Sequence, residues 1–295
     1  MSLVATLISH PAKRALTPAV ATMAMEALDA SAIDWLGENL ACDIALAPGS
    51  DPAEAEARLR TALAGAPIDV AVQKTDNRRK KMLIADMDST MIDQECIDEL
   101  AAELGLKDAV AGITRRAMNG EIAFEPALEE RVGLLKGLPL NVIDSVIEKR
   151  ITLASGGPAL VATMKAAGAF TALVSGGFEQ FTGPVGAKLG FHTQQANHLL
   201  TDGDRLSGEV KKPILGREAK AVALNRFAAE HGLTPDDVLA VGDGANDLDM
   251  LVLAGLGVAL HAKPAVAEQA RVRIDHGDLT ALLFLQGYRE ADFVT

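Results

Sequence analysis

Apolar and polar positions divide the chain into two stretches of different style. Before residue 75, short extended runs alternate with helical patterns. Residues 3–8 read as a strand, 17–30 as an alanine-rich helix, 31–36 and 41–47 as strands, and 68–74 as a further strand. Between them, 51–65 reads as a helix that opens on Asp51 as N-cap with Pro52 in the first helical position. The order βαββαβ predicts a small α+β domain of ferredoxin-like type over residues 1–76. The polar and basic stretch Thr75–Lys81 then reads as a linker.

From residue 77 onward the pattern changes. Compact apolar runs at 82–86, 170–174, 238–242 and 256–260 are each followed by Gly or polar residues and then by a helical pattern, as at 217–231 and 278–286. Apolar strands alternating with helices predict an α/β unit, a Rossmann-like parallel sheet covered on both faces. The segment from about 93 to 165 breaks the alternation with mostly helical patterns, and predicts a cap inserted between the first two strands. Asp202-Gly203 between two extended runs predicts a β-hairpin within 197–210.

Composition narrows the function classes. Of 295 residues, 28 are basic and 40 acidic, a formal net charge of −12, which argues against a grip on nucleic-acid phosphates. Any anion site must therefore be built from local cations against a repulsive global field. The basic pair Lys13-Arg14 precedes an alanine-rich stretch, but Pro18 and Glu26 interrupt it, and it reads as an amphipathic helix rather than a leader. No run approaches the roughly 18 apolar residues of a membrane span. Cys42 and Cys96 have no metal-ligand spacing and fit a reducing cytoplasm. His192 and His198 are too isolated to propose as a metal site.

Ligands of open α/β sheets bind beyond the carboxyl ends of the strands. Three strand ends here carry polar groups that should converge. Asp86 and Asp88 follow the first run, and their alternation lets both carboxylates face one ligand. A calcium loop is excluded, because the Gly and terminal Glu it needs are missing. Ser175-Gly176-Gly177 follows the second run and offers a hydroxyl and open backbone N–H groups to a phosphate; taken alone it is equally an ordinary strand-to-helix turn. Gly242–Asp247 follows the third, with Asp243 as a hard oxygen donor for a divalent cation.

In this order the motifs resemble those of the haloacid dehalogenase-like phosphohydrolases, over about residues 82–290. The similarity extends to the phosphoserine phosphatases within them through Asp86–Leu100, Phe124–Lys136, Ser175–Phe178, Lys220 and Gly242–Asp247. The resemblance implies a Mg2+-dependent hydrolysis of O-phospho-L-serine, the last step of serine biosynthesis. It implies Asp86 as nucleophile, Asp88 as acid and base, and a metal held by Asp86, Asp243 and the backbone carbonyl of Asp88. It further implies Ser175, Gly176, Lys220 and Asn246 around the phosphate, Glu95 on the ammonium, Arg131 on the carboxylate and Phe124 as a shield. Asp247 is expected to support the metal or Lys220. Composition alone would leave Glu95 and Arg131 on a solvated helix face. Residues 1–75 resemble the small ACT-like regulatory domains that precede some of these enzymes, which implies a homodimer and leaves effector binding open beside a passive dimerisation role. Phosphoryl transfer to a second alcohol, and a binding protein with a spent site, are the competing readings.

Overall fold

The computed structural model describes residues 2–119 and 121–294. Its first unit comprises β1 (Leu3–Ser9), α1 (Pro18–Ala27), β2 (Asp34–Gly37), β3 (Ala41–Ala45), α2 (Pro52–Ala62) and β4 (Ile68–Lys74). The sheet runs β2-β3-β1-β4 with antiparallel neighbours, the arrangement the βαββαβ order predicts. Both helices begin on Pro behind a side-chain cap. Asp51 accepts from the Glu54 N–H at 2.9 Å and Thr17 from that of Val20, which satisfies donors a helix start leaves free. Ala5, Leu7, Cys42, Ile44 and Val70 pack beneath these helices.

The other face of this sheet is also covered. Ile8, Ala41 and Ala71 join the core of the second unit. Arg78, in the stretch read as a linker, pins the two units together. Its guanidinium reaches Asp43 Oδ2 at 2.5 Å and Thr6 Oγ1 at 2.8 Å, and its Nε donates to the Leu285 carbonyl at 2.9 Å. Asp69 on β4 accepts backbone N–H groups of Asp275, His276 and Gly277 at 2.8, 3.1 and 2.7 Å.

The second unit starts with β5 (Met82–Ala85), followed by α3 (Cys96–Ala102), α4 (Lys107–Met118), α5 (Phe124–Gly133) and α6 (Asn141–Lys149). Then come α7 (Gly157–Ala166), β6 (Phe170–Phe178), α8 (Glu179–Leu189), β7 (Thr193–Asn197), β8 (Leu199–Asp202), β9 (Arg205–Val210) and α9 (Arg217–Glu230). The chain ends with β10 (Val238–Gly242), α10 (Leu248–Leu253), β11 (Leu256–Leu260), α11 (Pro264–Ala267), β12 (Val272–Ile274) and α12 (Ala281–Leu285). Six strands form a parallel sheet in the order β12-β11-β10-β5-β6-β7. Met82 and Ile84 face one buried layer, Leu83 and Ala85 the other, which is why the strand reads as an unbroken apolar run.

Helices α3–α6 form the inserted cap. α7, which the sequence pattern placed inside the insertion, packs instead against β6 and α8. The expected hairpin is β8–β9, and it grips the cap through the Gly137 N–H to the Leu206 carbonyl at 2.8 Å and the Leu206 N–H to the Leu138 carbonyl at 2.9 Å. From β5 the chain adds β6 and β7 on one side, then β10, β11 and β12 on the other. The topological switch therefore lies between β5 and β10, where a crevice opens at the carboxyl ends.

Candidate active site

The crevice at the switch holds the acidic residues. Ala85 is in register with Val241 on one side and Leu173 on the other, so the residues after these strands meet. Asp86 is fixed by its N–H to the Val241 carbonyl at 3.0 Å. Lys220 arrives from α9 and is 2% exposed. Its Nζ lies 2.7 Å from Asp86 Oδ1 and 2.5 Å from Asp247 Oδ1. Asp247 Oδ2 accepts the backbone N–H groups of Asp243 and Gly244 at 3.2 and 3.0 Å. A Cβ on Gly242 would stand 2.4 Å from the Asp247 carboxyl carbon, so only glycine lets this loop close.

Asp88 points elsewhere. Its Oδ1 accepts the Cys96 N–H at 2.8 Å, and its Oδ2 accepts the Ser175 hydroxyl at 3.3 Å. The chain then turns at Ser89, whose φ is +54°. The Ser175 Oγ in turn accepts the Gly177 N–H at 2.8 Å. Asn197, 2% exposed, donates to the carbonyls of Gly176 and Leu215 and accepts the Leu215 N–H at 2.7 Å. It thereby ties the end of β6 to the loop that delivers Lys220.

Burial governs the electrostatics. It raises the carboxyl of Asp86 well above the ordinary range, reinforced by Asp247 and Asp243 and opposed by Lys220. It also raises Asp88, against the Cys96 N–H, and pushes Asp243 up to about 7, with Asp247 adding to the effect. Burial works against the Lys220 ammonium, but Asp247 and Asp86 outweigh it and hold the lysine above its usual value. Oxygens of Asp86, Asp243 and Asp247 lie within 4.8 Å of one another. Buried Asp86 Oδ1 and Asp243 Oδ2 lack aligned hydrogen bonds. Hard oxygen donors crowded without enough positive charge fit a divalent cation. The side chain of Asp88 is not part of that cluster.

The cap closes over the crevice. One pocket is lined by Asp86, Asp88, Ser175, Gly176 and Asn246 from the sheet side and by Glu95, Phe124 and Arg131 from the cap side. Phe124 packs so tightly on Gly176 that a Cβ there would meet its ring at 2.7 Å. Arg131 is buried. It donates to the Ala127 carbonyl at 3.0 Å and to Thr114 Oγ1 at 3.0 Å, and Thr114 donates to Asp98 at 2.8 Å. Burial lowers its proton affinity, and Glu95, Asp98 and Asp88 oppose that change. Glu95 accepts the Ser89 hydroxyl at 2.7 Å, and burial beside Asp88 and Asp243 raises its carboxyl well above normal. Lys220 and Asp243 lie outside the lining of this pocket. Neither Glu95 nor Arg131 is on a solvated face.

Three neighbours were not anticipated. Thr90 Oγ1 donates to Asp243 Oδ1 at 3.3 Å. Lys263 donates its backbone N–H to the Asp243 carbonyl at 3.1 Å and holds its Nζ 3.4 Å from Oδ2. Thr114 orients Arg131. Lys263 lies three residues past the apolar run 256–260, behind His261 and Ala262, whereas Asp243 directly follows 238–242, so the strand-end rule does not single it out. Thr114 sits on a cap helix with no distinguishing signal.

A family model described as haloacid dehalogenase-like hydrolase matches residues 83–252, and the chain belongs to that family. Within it, the chain is similar to proteins that act on one ester. The phosphoserine phosphatase of Archaeoglobus fulgidus is 43% identical over 234 residues, covering 79% of this chain and 68% of that protein. The phosphoserine phosphatase of Streptomyces coelicolor is 43% identical over 235 residues, covering 78% of this chain; the chain spans 57% of that relative's length. A structure of a phospho-aspartyl intermediate analogue of phosphoserine phosphatase superimposes with a TM-score of 0.67 at 39% identity, over 70% of this chain and 98% of its own. A probable phosphoserine phosphatase from Vibrio cholerae gives 0.75 at 30% identity, over 99% of this chain and 88% of its own.

Proposed function

We propose that this chain hydrolyses O-phospho-L-serine to L-serine and phosphate through an aspartyl-phosphate on Asp86, supplying the last step of serine biosynthesis in the cytoplasm. The observation that carries the reading is the joint lining of one pocket by Asp86 and Asp88 from the sheet and by Glu95 and Arg131 from the cap. An Asp86 carboxylate oxygen forms the bond to phosphorus as the bond from phosphorus to the serine oxygen breaks. Asp88, raised by burial, gives its proton to that leaving oxygen. It then takes a proton from the water that attacks the aspartyl-phosphate, which restores Asp86. Lys220, Ser175 and the Gly176 N–H hold the phosphoryl oxygens, and Asn246 orients the group. Mg2+, when held by Asp86, Asp243 and the Asp88 carbonyl, offsets the repulsion between nucleophile and ester.

Specificity comes from the cap. Arg131 clamps the substrate carboxylate through its planar fork, Glu95 pairs with the ammonium, and Phe124 excludes water. Free, buried Cys42 and Cys96 suit a reducing compartment. A dimer built through the first unit would have to use its helices or its β2 edge, because Arg78 and the α12 region cover the other sheet face.

The test is a panel of phosphorylated amino acids assayed with Mg2+, together with Arg131→Ala. The reading expects phosphoserine to lead the panel. It expects Arg131→Ala to lose at least tenfold more kcat/KM on phosphoserine than on an aryl phosphate lacking the carboxylate. Equal losses on both substrates would sink the clamp.

A further inference from the structure

Two cavities reach the carboxylate cluster from different sides. The pocket under the cap touches Asp86 and not Asp243. A second cavity, of about 310 Å3, touches Asp243 and not Asp86, and its lining includes Thr90, Asp93, Asp278, Lys263 and, from the first unit, His10. It shares no lining residue with the pocket under the cap. Asp243 is 1% exposed, and its Oδ2 has no aligned hydrogen bond. Among the described residues, the cation paired with that oxygen is the Lys263 ammonium at 3.4 Å, on a side chain that is 35% exposed. The Lys263 backbone is anchored on the Asp243 carbonyl, so the side chain can swing into solvent without moving the loop. Three carboxylates against one ammonium give the cavity a field that draws cations.

We propose that this second cavity is the entrance by which the divalent cation reaches Asp243, and that Lys263 is a placeholder charge the cation displaces. The inference rests on the reading of Asp86 and Asp243 as metal-holding residues. It separates two traffics: the phosphate ester enters beneath the cap, and the cation arrives from the side where β11 ends and the first unit contributes His10. Metal exchange then does not require the cap to open.

Route and site have different signatures. Obstructing a route slows arrival and departure by the same factor and leaves the equilibrium untouched, whereas damage to the site changes the equilibrium. Mn2+ serves as the probe, with binding followed by its paramagnetic resonance and release by stopped-flow mixing with excess chelator. Ala154 and Ser155 line the cavity outside the catalytic groups. Ala154→Phe and Ser155→Leu, each shown to be folded by circular dichroism, are expected to slow association and release about tenfold with Kd within twofold of wild type. Lys263→Met is expected to tighten Mn2+ at least threefold, with faster association. Wild-type rates in both obstructed variants would overturn the entrance. Weaker Mn2+ binding in Lys263→Met would overturn the placeholder role. Failure of the unaltered protein to bind Mn2+ at all would overturn the metal reading beneath both, and so is distinguishable from failure of the route.

Discussion

Lys220→Met removes the buried cation that two carboxylates share. The ammonium lies 2.7 Å from Asp86 and 2.5 Å from Asp247, and all three side chains are at most 3% exposed. Methionine keeps the length of the side chain and loses the charge. Breaking a buried pair by deleting one partner costs roughly 3–5 kcal/mol, which lowers a urea midpoint by roughly 1–2 M at a slope of about 3 kcal/mol per M, the upper end that suits a chain of this size. The lysine also opposes the raised proton affinity of Asp86. Without it Asp86 holds its proton to higher pH, so the acid limb of kcat/KM moves upward. On the proposed mechanism, in which Lys220 also holds the phosphoryl oxygens, loss of that preorganised charge is worth roughly a hundred- to thousandfold in kcat. Phosphate release from phosphoserine across pH 5–9 with saturating Mg2+, alongside urea denaturation, reads all three effects. An acid limb that stays in place or moves downward, with stability unchanged, would refute the assignment of Lys220 as the counter-charge of Asp86.

Two further outcomes follow from the same geometry. Asp243 is pushed up to about 7 from 3.8 when folded, so between those values the folded chain binds more protons than the unfolded one. Its contribution therefore falls as pH rises through that window; with chelator present the thermal midpoint should drop from pH 5 to pH 7.5, and Mg2+ should abolish the drop. A metal-free protein that gains stability over that range would contradict this. Gly176→Ala places a methyl 2.7 Å from the Phe124 ring, so the cap must lift; KM for phosphoserine should rise at least tenfold while aryl phosphate turnover changes less, and an unchanged KM would show that the cap contact is unimportant.

Much of the architecture is legible because burial leaves simple patterns. Strands buried on both faces, such as Met82–Ala85 and Val238–Gly242, must be apolar throughout. The two edges of the parallel sheet escaped notice. β7 reads TQQAN and β12 is three residues long; an edge strand has one neighbour and less need of apolar side chains. The linker reading of Thr75–Lys81 described its irregular backbone but not Arg78, because a brace made by Asp43, Thr6 and Leu285 depends on partners far away in sequence. The site was legible where polar residues directly follow apolar runs. Applied to the fourth run, the same rule points to His261 and stops short of Lys263, two residues further on. Glu95, Phe124 and Arg131 carried no local signal, since only the folding of the cap back over the sheet brings them into one pocket with Asp86; only resemblance pointed to them.

The central claim is that the phosphoryl group passes through Asp86. Phosphoserine labelled with 32P in its phosphate, mixed with the Mg2+-loaded protein and quenched in acid within milliseconds, should leave acid-stable, hydroxylamine-labile label on the protein. Proteolysis at low pH should place that label on the peptide containing Asp86, and the Asp86→Asn variant should take up none. Full turnover with no protein-bound label at any quench time, or an Asp86→Asn variant that still hydrolyses phosphoserine near the rate of the unaltered chain, would contradict the account.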